Sequence, residues 1–192
     1  MDSVENSRRI GFTARDMAQV AVFAALIAAL GLPGAITVGF SGVPITLQTL
    51  GVLLAGAVLG ARKGTAAVLV FIALTLIGLP LLSGGRTGLT ALAGPSAGYL
   101  IGWIPAALVI GWLTERILPK YPVLPALLIN AFGGLVVVYA FGTAGLLLRT
   151  DLGVVEAITS NGAFIPGDLA KVVVATVVAK GVHRAYPGLT GA

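Results

Sequence analysis

Residues 17–61 read MAQVAVFAALIAALGLPGAITVGFSGVPITLQTLGVLLAGAVLGA, and none of them carries a formal charge. A helical crossing of a bilayer core takes about 20 apolar residues, so this run is long enough for two. Leu32-Pro33-Gly34 interrupts it, and Ser41-Gly42-Val43-Pro44 ends a polar, glycine-containing loop. Proline and glycine punctuate helices, which divides the run into a first helix over about 14–32 and a second over about 46–61. The chain therefore reads as an all-α membrane protein.

Composition agrees with that reading. The chain of 192 residues is 57% hydrophobic and 10% charged, with a mean hydropathy of +1.03. An ordinary soluble domain carries about 25% charged residues. The net charge of +5 is no sign of nucleic-acid binding once the charges are placed, because they fall at helix ends. With no cysteine there is no disulfide or thiolate metal site, and one histidine makes a histidine-based metal or catalytic cluster unsupported. No linker or charge block divides the chain, so a single membrane domain over residues 1–192 is expected. The polar start with Arg8, Arg9 and Arg15 leads into an apolar segment without a convincing cleavage site, and that segment reads as a permanent helix.

Onward from residue 61, Arg62-Lys63-Gly64 forms a tight charged turn. A third helix is expected over about 64–79, ended by Gly78-Leu79-Pro80, and Leu81 to Gly88 is too rich in glycine to be helical. Further helices are expected over about 96–117, 123–147 and 164–184, with a polar interlude at Arg149 to Asn161 that includes a short interfacial helix. Six crossings put both termini on one side. Arg8, Arg9, Arg15, Arg62, Lys63, Arg116, Lys120, Lys180 and Arg184 fall on that side, Arg86 and Arg149 fall opposite, and Lys171 lies within a span. Because cytoplasmic loops collect Lys and Arg, the sequence predicts a compact six-helix bundle with cytoplasmic termini.

Polar material collects at the other, outer end. Asp168 and Lys171 stand three apart in Asn161-Gly-Ala-Phe-Ile-Pro-Gly-Asp-Leu-Ala-Lys171, so a helix directs both the same way. Each charge at mid-bilayer costs about 2.5–3.5 kcal/mol on insertion scales, and such residues face a partner or a polar cavity. Thr46, Gln48, Arg86, Tyr99 and Tyr139 are expected at similar depth. Apolar walls with a few placed hydrogen-bonding groups describe a small-molecule site between helices. The alternatives stay open: a self-neutralising pair for Asp168 and Lys171, a solvated charge for Arg86, an interface aromatic for Tyr99, and backbone satisfaction for Gln48. His183, at the far end of the last helix, reads as a cation near the helix C-terminal dipole.

Ala14, Ala18, Ala21, Ala25 and Ala29, with Ala24 and Ala28, place small residues at spacings of three and four on the first helix. Such faces permit close helix–helix approach in lipid, either inside this bundle or against another membrane subunit. The patterns G-x-x-x-x-G-K-[ST], H-E-x-x-H and G-x-S-x-G do not occur, so neither a P-loop ATPase nor a familiar protease or hydrolase is expected. No enzyme activity and no cofactor are expected.

Four motifs carry a family resemblance. They are Gly42-Val-Pro-Ile-Thr-Leu-Gln48-Thr-Leu-Gly-Val-Leu-Leu-Ala-Gly-Ala-Val-Leu-Gly60, Gly78-Leu-Pro80, Gly94-Pro-Ser-Ala-Gly-Tyr99-Leu-Ile-Gly102 and Pro166-Gly-Asp168-Leu-Ala-Lys171. In this order they resemble the BioY family, the biotin-binding S (substrate-specificity) subunits of energy-coupling-factor (ECF) transporters, over roughly residues 14–185. The resemblance implies a six-helix membrane protein of the bacterial cytoplasmic membrane that captures biotin from outside. It implies ligand-binding roles for Asp168, Lys171, Gln48, Tyr99 and the loop glycines Gly84, Gly85 and Gly88. Arg86 joins that set as a candidate partner for the biotin carboxylate. Leu81-Leu82 stand where the family commonly has an aromatic, and Ser96-Ala97 replace the more usual Thr-Gly. The implied partners are membrane lipid, a membrane coupling subunit docking on Ala14, Ala18, Ala21 and Ala25, and two ATPase subunits. The competing reading is an S subunit or small carrier for another vitamin-like solute.

Overall fold

A computed structural model describes residues 11–37, 40–187 and 189–190. It is helical nearly throughout. The helices are α1 (Ala14–Ala29), α2 (Gln48–Leu76), the short α3 (Gly88–Ala93), α4 (Ala97–Ile117), α5 (Val123–Ala131), α6 (Val138–Arg149), the short α7 (Val154–Ser160) and α8 (Ile165–Ala185). Among the described residues three helical stretches, Gln48–Leu76, Ala97–Ile117 and Val123–Arg149, are long and apolar enough to cross a membrane, and the bent pair Val154–Ala163 and Ile165–Ala185, counted as one span, makes a fourth. The chain is a helical membrane protein. Two of the cations in the charge bias, Arg8 and Arg9, lie outside the described residues.

Helix α1 starts where Thr13 accepts from the Asp16 amide while the Asp16 carboxylate accepts from the Thr13 amide, a capping box that satisfies donors at both positions. Its C-cap is Leu30, and tighter turns carry the backbone on to Leu32, next to Pro33. The loop that follows is more ordered than its composition suggested. Ile36–Thr37 (β1) and Pro44–Ile45 (β2) pair antiparallel, and Gly42 sits between them at φ +68°.

The expected helices over 46–61 and 64–79 appear as a single element with a break. Gly60 has φ +79° and ψ −175°, outside helical space and accessible to glycine at little cost. The limb after the break folds back on the limb before it: a Cβ on Gly64 would collide with the Ala55 carbonyl oxygen. Glu115 of α4 reaches into the break, where its Oε1 accepts from the Ala61 amide at 2.8 Å. This carboxylate satisfies a donor at the start of the second limb that the interrupted helix leaves without a carbonyl.

Between α5 and α6 the chain stays helical but takes a π turn over Phe132–Val137. Gly133 and Gly134 lie in it, pressed against Ile110 and Leu53. A π turn inserts one residue, so every side chain after it moves round the axis by about 100° relative to an unbroken helix. Tyr139 is two residues beyond.

The core is drawn mostly from α2, α4 and α8, with Val52, Leu53, Phe71, Ala106, Ala107, Ile110, Ala175 and Ala179 almost fully enclosed. The outward faces stay apolar: Leu124, Leu128 and Val136 on α5 and its π turn, and Val173, Val174, Val177 and Val178 on α8, are exposed. In a bilayer those faces meet lipid tails as apolar as themselves, so packing rather than hydrophobicity decides which helices touch.

Two ends of the bundle are distinct. At the end bearing the termini, Lys63 pairs with Asp16 at 3.3 Å, donates to Gln19 at 2.9 Å and holds the Leu189 carbonyl. His183 lies in the last turn of α8, as its sequence position implies. It is buried, donates through Nε2 to the Ala57 carbonyl at 2.8 Å and lies 5.0 Å from the Tyr121 ring. A helix-end position on α8 becomes interior because α2 and the 118–122 turn pack over it.

Candidate functional site

At the opposite end the loops 41–47 and 77–96 and the start of α8 surround a cavity holding about 620 Å³ of empty space, part of it open to solvent. Its wall includes Thr46, Gln48, Arg86, Ser96, Tyr99, Trp103, Tyr139, Phe164, Asp168 and Lys171. These residues, from Thr46 to Lys171, meet here because all but Tyr139, which lies deeper on α6, are within about two helical turns of this end.

Helix α8 supplies the charges. Its buried positions are Asp168, Lys171, Val172, Ala175, Thr176, Ala179 and His183, the three-and-four spacing of a helix face turned into the bundle. Asp168 and Lys171 are 7% and 6% exposed, and Lys171 Nζ donates to Asp168 Oδ1 at 2.7 Å. Tyr139 OH donates to Asp168 Oδ2, also at 2.7 Å. Both carboxylate oxygens thus hold a short, charge-assisted bond. The arrangement still has capacity: an ammonium has three hydrogens and each carboxylate oxygen about two acceptor sites. Adjacent donors and acceptors on a buried wall suit a planar guest that both gives and takes hydrogen bonds.

Arg86 sits on the facing loop. Leu82 and Arg86 exchange two backbone hydrogen bonds, 3.0 and 3.2 Å, so Ser83-Gly84-Gly85 forms a closed turn between them. Gly84 and Gly85 have φ of +77° and +71°, which explains why glycines stand there. The guanidinium donates through Nη1 to Ser96 Oγ at 3.1 Å, and Nε approaches the Ser83 carbonyl at 3.4 Å. Burial lowers the Arg86 pKa from its ordinary 12.5, but arginine remains a cation in proteins. Gly88 serves packing: a Cβ there would come within 2.6 Å of Thr75 Oγ1.

Gln48 borders the cavity with its amide engaged by backbone. Nε2 donates to the Ile27 and Leu81 carbonyls at 3.2 and 3.0 Å, and Oε1 accepts from the Ser83 amide at 2.9 Å. One buried side chain thereby joins the end of α1 to the glycine loop. Tyr99 is 8% exposed, occupies space that a Cβ on Gly142 would fill, and donates to Asn161 Oδ1 at 2.7 Å. Its ring meets Phe164 edge-on, with centroids 5.8 Å apart.

Ala14, Ala18, Ala21 and Ala25 are exposed on α1, whereas Val20, Ala24 and Ile27 of the same helix face inward. The alanine pattern thus divides into an inner part that packs on α2 and an outer part that is exposed among the described residues. Tyr139 is a member of the polar cluster expected from the sequence, though without an assigned role, whereas Asn161, Trp103 and Phe164 are not singled out by sequence reasoning. Asn161 and Tyr139 did carry a signal, as polar groups in apolar surroundings; Trp103 and Phe164 look like any core aromatic.

A sequence model of the BioY family matches residues 4–188. The chain is 48% identical over 178 residues to a biotin transporter BioY of Rhizobium etli, spanning 90% of this chain and 95% of that one. To a biotin transporter BioY of Rhodobacter capsulatus it is 49% identical over 183 residues, again 90% and 95% of the two chains. Its fold is similar to the crystal structure of the S-component for biotin from an ECF-type ABC transporter, with a TM-score of 0.85, 32% identity, and coverage of 91% and 95%. Three of the four sequence motifs line one cavity, in a fold similar to that S-component, and on this agreement of sequence and structure the chain belongs to the BioY family.

Proposed function

We propose that this chain captures biotin in the cavity described above and serves as the substrate-specificity subunit of an ATP-driven ECF transporter in the bacterial cytoplasmic membrane. One observation carries the reading: a buried, hydrogen-bonded Asp168–Lys171–Tyr139 set shares a largely apolar cavity with a second cation, Arg86. Biotin is a cyclic urea with two N–H donors and one carbonyl acceptor, fused to an apolar thioether ring and carrying an anionic tail. Asp168 accepts from the ureido N–H groups and Lys171 donates to the ureido oxygen. Arg86, fixed by Ser96, meets the tail carboxylate, while Tyr99 and Trp103 flank the rings. Gln48, Gly84, Gly85 and Gly88 act by shaping the wall and the loop. An analogue lacking a ureido N–H leaves a buried acceptor without its donor, and that difference supplies selectivity.

In this reading the chain crosses six times, with the break at Gly60 as one cytoplasmic turn, both termini in the cytoplasm and the cavity facing outward. The bias of lysines and arginines toward the terminal end supports the orientation. The subunit is no enzyme, and uphill transport draws on two ATPase subunits through a membrane coupling subunit. The exposed alanine face of α1 is the docking surface, since small side chains let a partner helix approach closely. Titration of the purified chain with biotin tests the core of the proposal: saturable one-to-one binding is expected. Mass spectrometry showing a different co-purified vitamin, with no competition by biotin, would overturn it.

A further inference from the structure

The helical run Val154–Ala163, which ends in the 3-10 turn Asn161–Ala163, meets Ile165–Ala185 at 54° with the break at Phe164, and α8 with Asp168 and Lys171 starts directly beyond this elbow. Helix α7 packs through Ala157 and Ser160, which are buried, while Val154, Val155 and Ile158 are exposed. Its contacts include α6 and the elbow itself. Asn161 strengthens this hold. It is 6% exposed, and both the oxygen and the nitrogen of its amide are hydrogen-bonded. Oδ1 accepts from Tyr99 OH of α4 at 2.7 Å. Nδ2 donates to Thr143 Oγ1 of α6 at 2.9 Å and to the Ala157 and Ile158 carbonyls of α7 at 3.2 Å. A single side chain therefore ties three helices together at the edge of the cavity.

Its partner is itself a wall residue. Tyr99 lines the cavity, and Phe164 stands between the two hydrogen-bonded pairs, 5.8 Å from the Tyr99 ring and 6.4 Å from the Tyr139 ring. Anything that displaces the elbow moves Phe164, then Tyr99 on one side and the Tyr139–Asp168 pair on the other. We infer that Asn161 is a positioning residue for the binding site: through Tyr99 it locks the α7–α8 elbow and so sets how long the ligand stays. The inference rests on the proposal that the cavity binds biotin. Asn161 touches the ligand through nothing but this chain of contacts.

The chain offers its own reporter. Trp103 lines the cavity and Trp112, the other tryptophan, is exposed on α4, so Trp112→Phe leaves fluorescence reporting on the site. In that background the biotin association and dissociation rates are measured by stopped flow for Asn161→Ala, Tyr99→Phe and the double variant. Each single variant is expected to dissociate roughly tenfold faster, the scale set by leaving one buried group unsatisfied, with association within about twofold. The double variant should be no worse than Asn161→Ala alone, because that substitution already removes the bond that Tyr99→Phe removes. Thermal unfolding without biotin serves as the control that a merely structural role would move alone. Unchanged dissociation in the single variants, or additive effects in the double, overturns the inference. If Asn161→Ala does not fold, Thr143→Val removes one tie of the same amide and is expected to speed dissociation about threefold; an unchanged rate there is equally fatal. Absence of biotin binding by the parent protein defeats the functional reading instead, so the two failures are told apart.

Discussion

Replacing Asp168 by Asn tests the site and the energetics of the bundle together. The substitution keeps the shape of the side chain and leaves Tyr139 an oxygen to donate to, now at 2.7 Å from Oδ2. It removes the charge that Lys171, 6% exposed, depends on. Removing one partner of a buried ion pair costs about 3–5 kcal/mol, because the other charge stays enclosed without compensation. The effect on binding is separate. Losing a charged acceptor for the ureido N–H groups costs about 1.5–3 kcal/mol, or roughly 10- to 150-fold in Kd. Asp168→Asn combined with Lys171→Met leaves no buried charge and should recover most of the lost stability while biotin affinity stays low. Thermal unfolding in detergent and biotin titration, followed by Trp103 fluorescence, measure the two quantities on the same samples. Affinity within twofold of the parent in Asp168→Asn would refute the ligand role. A double variant as unstable as the single would refute the ion-pair argument.

Other outcomes follow from particular contacts. Gln48→Ala strands the Leu81 carbonyl and the Ser83 amide, at about 1–3 kcal/mol per orphaned group; hydrogen exchange should rise in residues 81–86, with biotin affinity falling alongside. Gly85→Ala forces an alanine to φ +71°, a cost of about 1–2 kcal/mol, and the Arg86 contribution to biotin affinity should weaken several-fold while melting temperature changes little. Gly64→Leu drives a side chain into the Ala55 carbonyl and should abolish folded protein in size-exclusion profiles, whereas Gly78→Ala, open to space but at φ +103°, should cost only modest stability. Ala18→Leu with Ala25→Leu alters exposed positions on α1, so co-purification of the coupling subunit should drop with biotin binding intact; undiminished assembly counts against that face.

Much of the fold could be read from the chain because lipid imposes a simple rule: long apolar runs become helices, and Pro and Gly mark their ends. The ends agree to within a few residues for α4 and α8, where Pro95 and Pro166 sit close to the helix starts. The break at Gly60 could be anticipated only as a turn near Arg62, since nothing in a local window shows that Glu115 would cap the second limb. Strand pairing of Ile36–Thr37 with Pro44–Ile45 was invisible for a similar reason, being two residues long and set by the loop's closure.

For the site, the sequence by itself determined which chemistry is present: an acid and a base three apart on a helix that can ill accommodate either alone. It also fixed the end of the bundle at which polar groups gather, through helix length. What only the tertiary structure decided is the division of labour among them. Gln48 turned out to bind backbone, Gly84 and Gly85 to shape a turn, and Tyr139 and Asn161 to hold the residues that face the cavity. The physical reason is that a hydrogen bond between distant residues depends on where two helices cross and how each is rotated. A π turn ahead of Tyr139 changes that rotation by a whole residue, and no periodicity in an apolar stretch records it.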